Sequence, residues 1–194
     1  MPHPRPSSPR RRVPPLPLAV WFFSALTVSA QPIGSHRVQS LAPYVPSPQN
    51  VVEEMLIASG LKPGETLYDL GSGDGRIVVT AVQKFKAKAV GVEISERLVR
   101  LANDNIRNAG VAERAKIVTG HLLEVDLSDA DVVTLYLLTT SNEQLKPNLE
   151  KYLKPGARVV SHDFQIPGWK PATVTRVVAH NREHTIYVYR MPAR

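Results

Sequence analysis

Seven residues, Asp69-Leu70-Gly71-Ser72-Gly73-Asp74-Gly75, constrain this chain more than any other stretch. They close a short apolar run, Thr66-Leu67-Tyr68-Asp69-Leu70, and lead into residues 77–85, whose apolar positions recur at helical spacing. A strand that turns into a helix through glycines puts backbone at the carboxyl edge of a sheet, where open α/β sheets bind ligands. Side chains must be absent there so that the chain turns tightly and the ligand reaches the backbone. The next apolar run, Ala89-Val90-Gly91-Val92-Glu93, ends in a carboxylate 18 residues after Gly75. From that place a carboxylate accepts both hydroxyls of an adenosine ribose. A dinucleotide fingerprint needs its third glycine at position 76, where the chain has Arg76. Acidic Asp69 and Asp74 would repel a pyrophosphate and suit a cationic ligand with an ammonium and a sulfonium.

The rest of the chain supplies the frame for this loop. Val51, Val52, Met55, Leu56 and Ile57 form a helical stripe closed by Gly60. Ser95 caps a helix running through Leu98, Leu101 and Ile106 to Gly110. Residues 116–119 and 131–137 read as strands, and Ser141 with Gln144 reads as a capping box for a helix ending near Leu153. Residues 157–161, 173–179 and 185–190 are the last strands, the final two joined by a turn at Asn181 and Arg182. Alternating strands and helices predict an α/β fold, a Rossmann-like doubly wound sheet of seven strands. It is mostly parallel, with a C-terminal antiparallel hairpin, because the last connection is too short for a crossover helix.

The first 49 residues are of another kind. They carry 11 of the 17 prolines, and the first acidic residue is Glu53. Arg10-Arg11-Arg12, an apolar run from Leu16 to Ala30, and Val28-Ser29-Ala30 spell a secretory signal peptide cleaved before Gln31. The expected organisation is a signal peptide over 1–30, a proline-containing segment over 31–49 and a catalytic domain over 50–194. Export to the periplasm or medium follows; membrane anchoring, an organellar leader and a cytoplasmic enzyme are the alternatives. Four N-terminal arginines carry more than half of the formal charge of +7, so the basic balance does not single out a nucleic-acid partner. With no cysteine, disulfides, thiolate zinc sites and cysteine nucleophiles are excluded. No metal-ligand spacing is legible among His121, His162, His180 and His184, the last two being assigned to the hairpin turn.

The glycine loop, the acidic residue after the second strand and the terminal hairpin together resemble the class I S-adenosylmethionine-dependent methyltransferases. The resemblance extends from Pro43 to Arg190. Tyr44-Val45-Pro46-Ser47-Pro48, then Val51-Val52-Glu53-Glu54-Met55-Leu56, then the loop continuing into Arg76-Ile77-Val78, is similar to one subgroup. These are small bacterial relatives of the mitochondrial protein-lysine methyltransferases acting on ATP synthase c-subunit and the adenine nucleotide translocase. The resemblance implies S-adenosyl-L-methionine as cofactor. Asp69, Gly71, Ser72, Gly73 and Gly75 would hold its methionine end, Glu93 the ribose and Ile94 one face of the adenine. His121 and Leu122 stand where many members place an adenine-binding aspartate, and Tyr44 would fold over the cofactor.

Methyl transfer demands positioning and desolvation, and a base only where the nucleophile arrives protonated. Many relatives that methylate planar nitrogens carry Asn- or Asp-Pro-Pro-Tyr after the fourth strand; this chain has Leu135-Tyr136-Leu137-Leu138. Tyr136 is offered two roles, orienting an amine or filling the strand core. In Ser161-His162-Asp163-Phe164, His162 or Asp163 could take a proton or hold a substrate ammonium. A protein lysine is the expected acceptor. A small molecule, RNA, or cofactor binding without transfer are the alternatives.

Overall fold

The computed structural model describes residues 44–193; the proposed signal peptide and its cleavage site lie outside them. The elements follow as α1 (Gln49–Ala58), β1 (Thr66–Leu70), α2 (Arg76–Phe85), β2 (Lys88–Glu93), α3 (Glu96–Asn108), β3 (Ala115–Thr119), a short 3-10 turn (Leu122–Glu124), β4 (Val132–Leu135), α4 (Thr139–Tyr152), β5 (Arg158–His162), β6 (Thr173–Ala179) and β7 (Arg182–Arg190). They build one seven-stranded sheet in the order β3-β2-β1-β4-β5-β7-β6. The first five strands pair in parallel, and β7 inserts antiparallel between β5 and β6. The expected seven-stranded Rossmann-like sheet is therefore present.

Period-2 alternation along buried strands sends neighbouring side chains to opposite faces. Leu67, Ala89 and Val132 join Val51, Met55, Val78, Ala81 and Ile106 from α1, α2 and α3 in one core. Leu70, Val92, Val133 and Val159 join Leu145 and Leu149 from α4, and Leu153 just after it, in the other. Each fully buried Val, Leu, Ile or Met side chain among them contributes roughly 1.5–3 kcal/mol of transfer free energy. The sheet thus has covers on both faces, and its exposed carboxyl edge is left for ligands.

Three local expectations change. Helix α4 begins at Thr139 with Leu138 as its N-cap, so Ser141 lies inside the first turn and not at the cap position that a capping box requires. Instead the Leu138 carbonyl accepts the N–H groups of Ser141 and Asn142, both at 2.9 Å. Ser95 occupies the N-cap position of α3 without a side-chain cap bond. The Glu93 carboxylate receives the Ile94 and Ser95 N–H groups instead, at 2.9 and 2.8 Å. The hairpin turn is His180-Asn181, both at positive φ, with Ala179 paired to Arg182. A two-residue loop of that kind matches strand twist and lets β7 start at Arg182. His184 is consequently a buried strand residue and not part of the turn.

Candidate active site

A cleft of about 330 Å³ opens at the carboxyl edge of β1, β2 and β4. Its floor is the glycine loop. Gly71 and Gly73 have φ of +83° and +54°, a backbone that side chains rarely adopt. A Cβ on Gly73 would lie 2.6 Å from the Tyr44 ring, so the ring lies directly on the loop. Gly91, which sequence reasoning passed over as strand filler, is needed for space. A Cβ there would come within 2.6 Å of both Ser72 Oγ and Ile117. Gly75 does another job than lining the cleft: it lets α2 pack on Ala102 of α3, 3.1 Å from where its Cβ would be.

Glu93 anchors this floor. Besides the two N–H groups at the start of α3, its carboxylate accepts the Gly73 N–H at 3.0 Å. The loop is thereby fixed to β2. Asp69 is buried, accepts from Thr134 Oγ1 at 2.8 Å, and its pKa is pushed up to about 7 by burial. Ser72 Oγ is buried, without a hydrogen-bond partner among the described residues. A glycine floor open to close approach, beside a buried carboxyl that ionises when a cation sits next to it, fits a polar cationic ligand. Ile94, His121 and Leu122 line the other end. His121 Nδ1 also accepts the Leu123 N–H at 3.3 Å, which orients its ring at the start of the 3-10 turn.

A strap formed by residues 44–48 closes one side. Arg76, notable in the sequence only as the residue in place of a third glycine, secures it. Arg76 donates to the Ser47 carbonyl at 2.8 Å and to Asp74 Oδ2 at 2.6 Å. Burial would raise the Asp74 pKa, but the bonds and charge of Arg76 prevail and hold it below the usual carboxylate range. Burial, and then the Asp74 charge, raise the Tyr44 phenol. The strap is fastened a second time where Ser47 Oγ meets His162 Nδ1 at 2.9 Å.

Tyr136 and Leu137 form the remaining wall. The Tyr136 ring stacks on His162 with centroids 3.9 Å apart, and burial followed by the Asp163 charge raises its phenol. Asp163 itself is not in the cleft wall. Its carboxylate is committed to Arg182 at 2.6 Å, His184 at 3.2 Å and the Thr185 N–H at 2.8 Å. His162 is wholly buried, and desolvation holds its pKa well below the usual histidine range. The geometry thus brings Tyr44, Asp69, Gly71, Ser72, Gly73, Glu93, Ile94, His121, Leu122 and Tyr136 to one cleft, with Gly75 and Asp163 behind it.

Residues 69–173 match the family model described as the ANTKMT methyltransferase domain. The chain belongs to that family. It is 53% identical over 148 residues to a protein-lysine N-methyltransferase of Saccharolobus islandicus, covering 76% of this chain and 92% of the relative. It is 37% identical over 159 residues to the adenine nucleotide translocase lysine N-methyltransferase of Mus musculus, covering 81% and 68%. Among solved structures it is similar to an RNA methyltransferase from Salinibacter ruber in complex with S-adenosyl-L-homocysteine. That similarity has a TM-score of 0.73 at 43% identity and covers 77% of this chain and 95% of the other. The protein is a methyltransferase whose cofactor is S-adenosylmethionine, and the polar cationic ligand inferred from the cleft is that cofactor.

Proposed function

We propose that this methyltransferase transfers methyl groups to the ε-amine of protein lysine. The observation that carries the reading is the wall after β4: buried Leu137 beside the Tyr136 ring, at the place where planar-nitrogen enzymes present polar side chains and proline. A lysine must lose its proton before it attacks, and its unperturbed pKa is about 10.4. A dry, apolar wall disfavours the ammonium and lowers that value. Relatives named as lysine methyltransferases in two organisms support the same acceptor.

When bound, S-adenosylmethionine supplies both the activated methyl group and its leaving group. The chain's own residues position and desolvate. Glu93, which already accepts three backbone N–H groups, would take a ribose hydroxyl with the acceptor site left to it, Asp69 would face the cationic end, and Tyr44 would cover the cofactor on the glycine floor. Tyr136 orients the incoming amine from a ring held flat against His162.

The Salinibacter enzyme is named for a different acceptor, RNA, and one experiment separates the two. Native-host extract is incubated with the enzyme and methyl-tritiated cofactor. Label in protease-sensitive, nuclease-resistant bands at lysine, with a rate that rises with pH through the substrate's lowered pKa, is the expected result. Label confined to nuclease-sensitive or low-molecular-weight material overturns the lysine reading.

A further inference from the structure

Behind Tyr136, outside the cleft, three ligand atoms converge that transfer chemistry does not use. His162 Nε2 and His184 Nδ1 are 2.8 Å apart. Asp163 Oδ2 lies 3.2 Å from the His184 nitrogen and 3.5 Å from the His162 nitrogen. Both histidines are buried, and β5 and β7, the strands that carry them, are direct neighbours. We propose that His162, His184 and Asp163 form a binding site for a late first-row divalent cation of the zinc type.

Ligands about 2.0–2.1 Å from a tetrahedral centre sit about 3.3 Å from one another. The three measured separations bracket that edge, so one ion reaches all three atoms after shifts of a few tenths of an ångström. Two imidazoles and a carboxylate suit zinc, and the absence of cysteine leaves this as the available donor type. Ligating histidines and carboxylates are usually held by outer partners, and these are in place. Ser47 Oγ sits on His162 Nδ1 at 2.9 Å, and the Thr185 N–H holds Asp163 Oδ1 at 2.8 Å. Proton balance is simple. If His162 carries its proton on Nδ1 toward Ser47 and His184 on Nε2, both facing nitrogens present lone pairs and no proton needs to leave.

One group opposes the ion. Arg182 donates to Asp163 Oδ2 at 2.6 Å, but its side chain is 61% exposed and can swing into water. The bound ion would tie the ends of β5 and β7 together and fix the ring on which Tyr136 stacks.

The test uses the full chain, freed of metal with chelator, and needs no methyl donor. Titration with cobalt(II) is expected to give one equivalent with the intense visible bands of a tetrahedral site, displaced by zinc, and zinc should raise the melting temperature. His184→Gln and Asp163→Asn should each weaken binding at least about tenfold, and Ser47→Ala by about tenfold through His162. Arg182→Gln should tighten it. Far-ultraviolet circular dichroism and a cooperative melt, measured in parallel, check that each variant is folded. No saturable binding, only the faint bands of octahedral cobalt, or unchanged affinity in the folded His184 and Asp163 variants overturns the proposal and leaves a hydrogen-bonded cluster. If neither variant folds, the wild-type cobalt spectrum decides.

Discussion

At the cofactor end of the cleft the main chain makes the site; at the acceptor end side chains make it. Around the loop, N–H groups of Gly73, Ile94 and Ser95 converge on one carboxylate, and the shape depends on glycines having no side chain. Behind Tyr136 the links run from Ser47 through His162 to His184 and Asp163, joining strap, β5 and β7. A backbone site tolerates little, because Gly71 and Gly73 hold positive φ and a Cβ on Gly73 or Gly91 would fall 2.6 Å from a neighbour. A side-chain site can be altered one group at a time. The first kind therefore loses binding on mutation, while the second loses turnover with binding kept.

The largest effect expected is at Gly73. Gly73→Val drives a branched side chain into the Tyr44 ring at positive φ, and calorimetry should detect no cofactor binding. Retained affinity would show that the loop yields and that the main-chain account is mistaken. Glu93→Ala comes next. It removes a carboxylate that accepts three backbone bonds, a group of this kind being worth about 1.5–3 kcal/mol, so cofactor affinity should fall roughly 10–150-fold. Stability should fall with it, unlike at the acceptor end.

Asp69 sharpens the contrast through pH. Its folded pKa of about 7 lies above the ordinary 3.8, so the cofactor-free fold binds more protons than the unfolded chain between those values. Stability from this group is full below about pH 4 and is lost as pH rises through 7. Asp69→Asn should therefore melt higher than wild type at pH 8, with the difference vanishing toward pH 4. Binding of the cationic cofactor should release up to about one proton at pH 6, where its ammonium is already formed, and the release should fall away as pH rises through 7, read by calorimetry in buffers of different ionisation enthalpy.

Tyr136→Phe should lower kcat about tenfold while leaving cofactor affinity within about twofold, since the ring and its stacking on His162 are kept. Equal activity would return Tyr136 to a packing role. The smallest effect belongs to His121→Ala. Its imidazole makes one long bond to the Leu123 N–H, so affinity should weaken only about two- to threefold, roughly 0.5 kcal/mol, the low end for a neutral hydrogen bond.

The same contrast explains what could be read from the residues. Strand β1 was placed to the residue because alternation, loop and helix follow one another within 20 positions. The capping box at Ser141 failed because propensity rules do not see that the chain leaving β4 already offers the Leu138 carbonyl to two donors. Gly91 was missed because its need is for room beneath Ser72, a neighbour on another strand. Arg76 looked like a missing glycine until the strap was seen to end on it.

The sequence by itself determined the sheet class, the glycine floor and Glu93 as its acidic partner. Those features rest on backbone geometry and spacing within one β-α-β unit, which is local. Only the tertiary structure decided that Ser47, His162, His184 and Asp163 meet. Ser47 and His162 stand 115 positions apart, and His162 faces His184 only because β7 runs back beside β5 in one register. A shift of one residue in that register would send every β7 side chain to the opposite face. Residue types in order carry no record of it, because long-range pairing is chosen by how both faces of the sheet are buried.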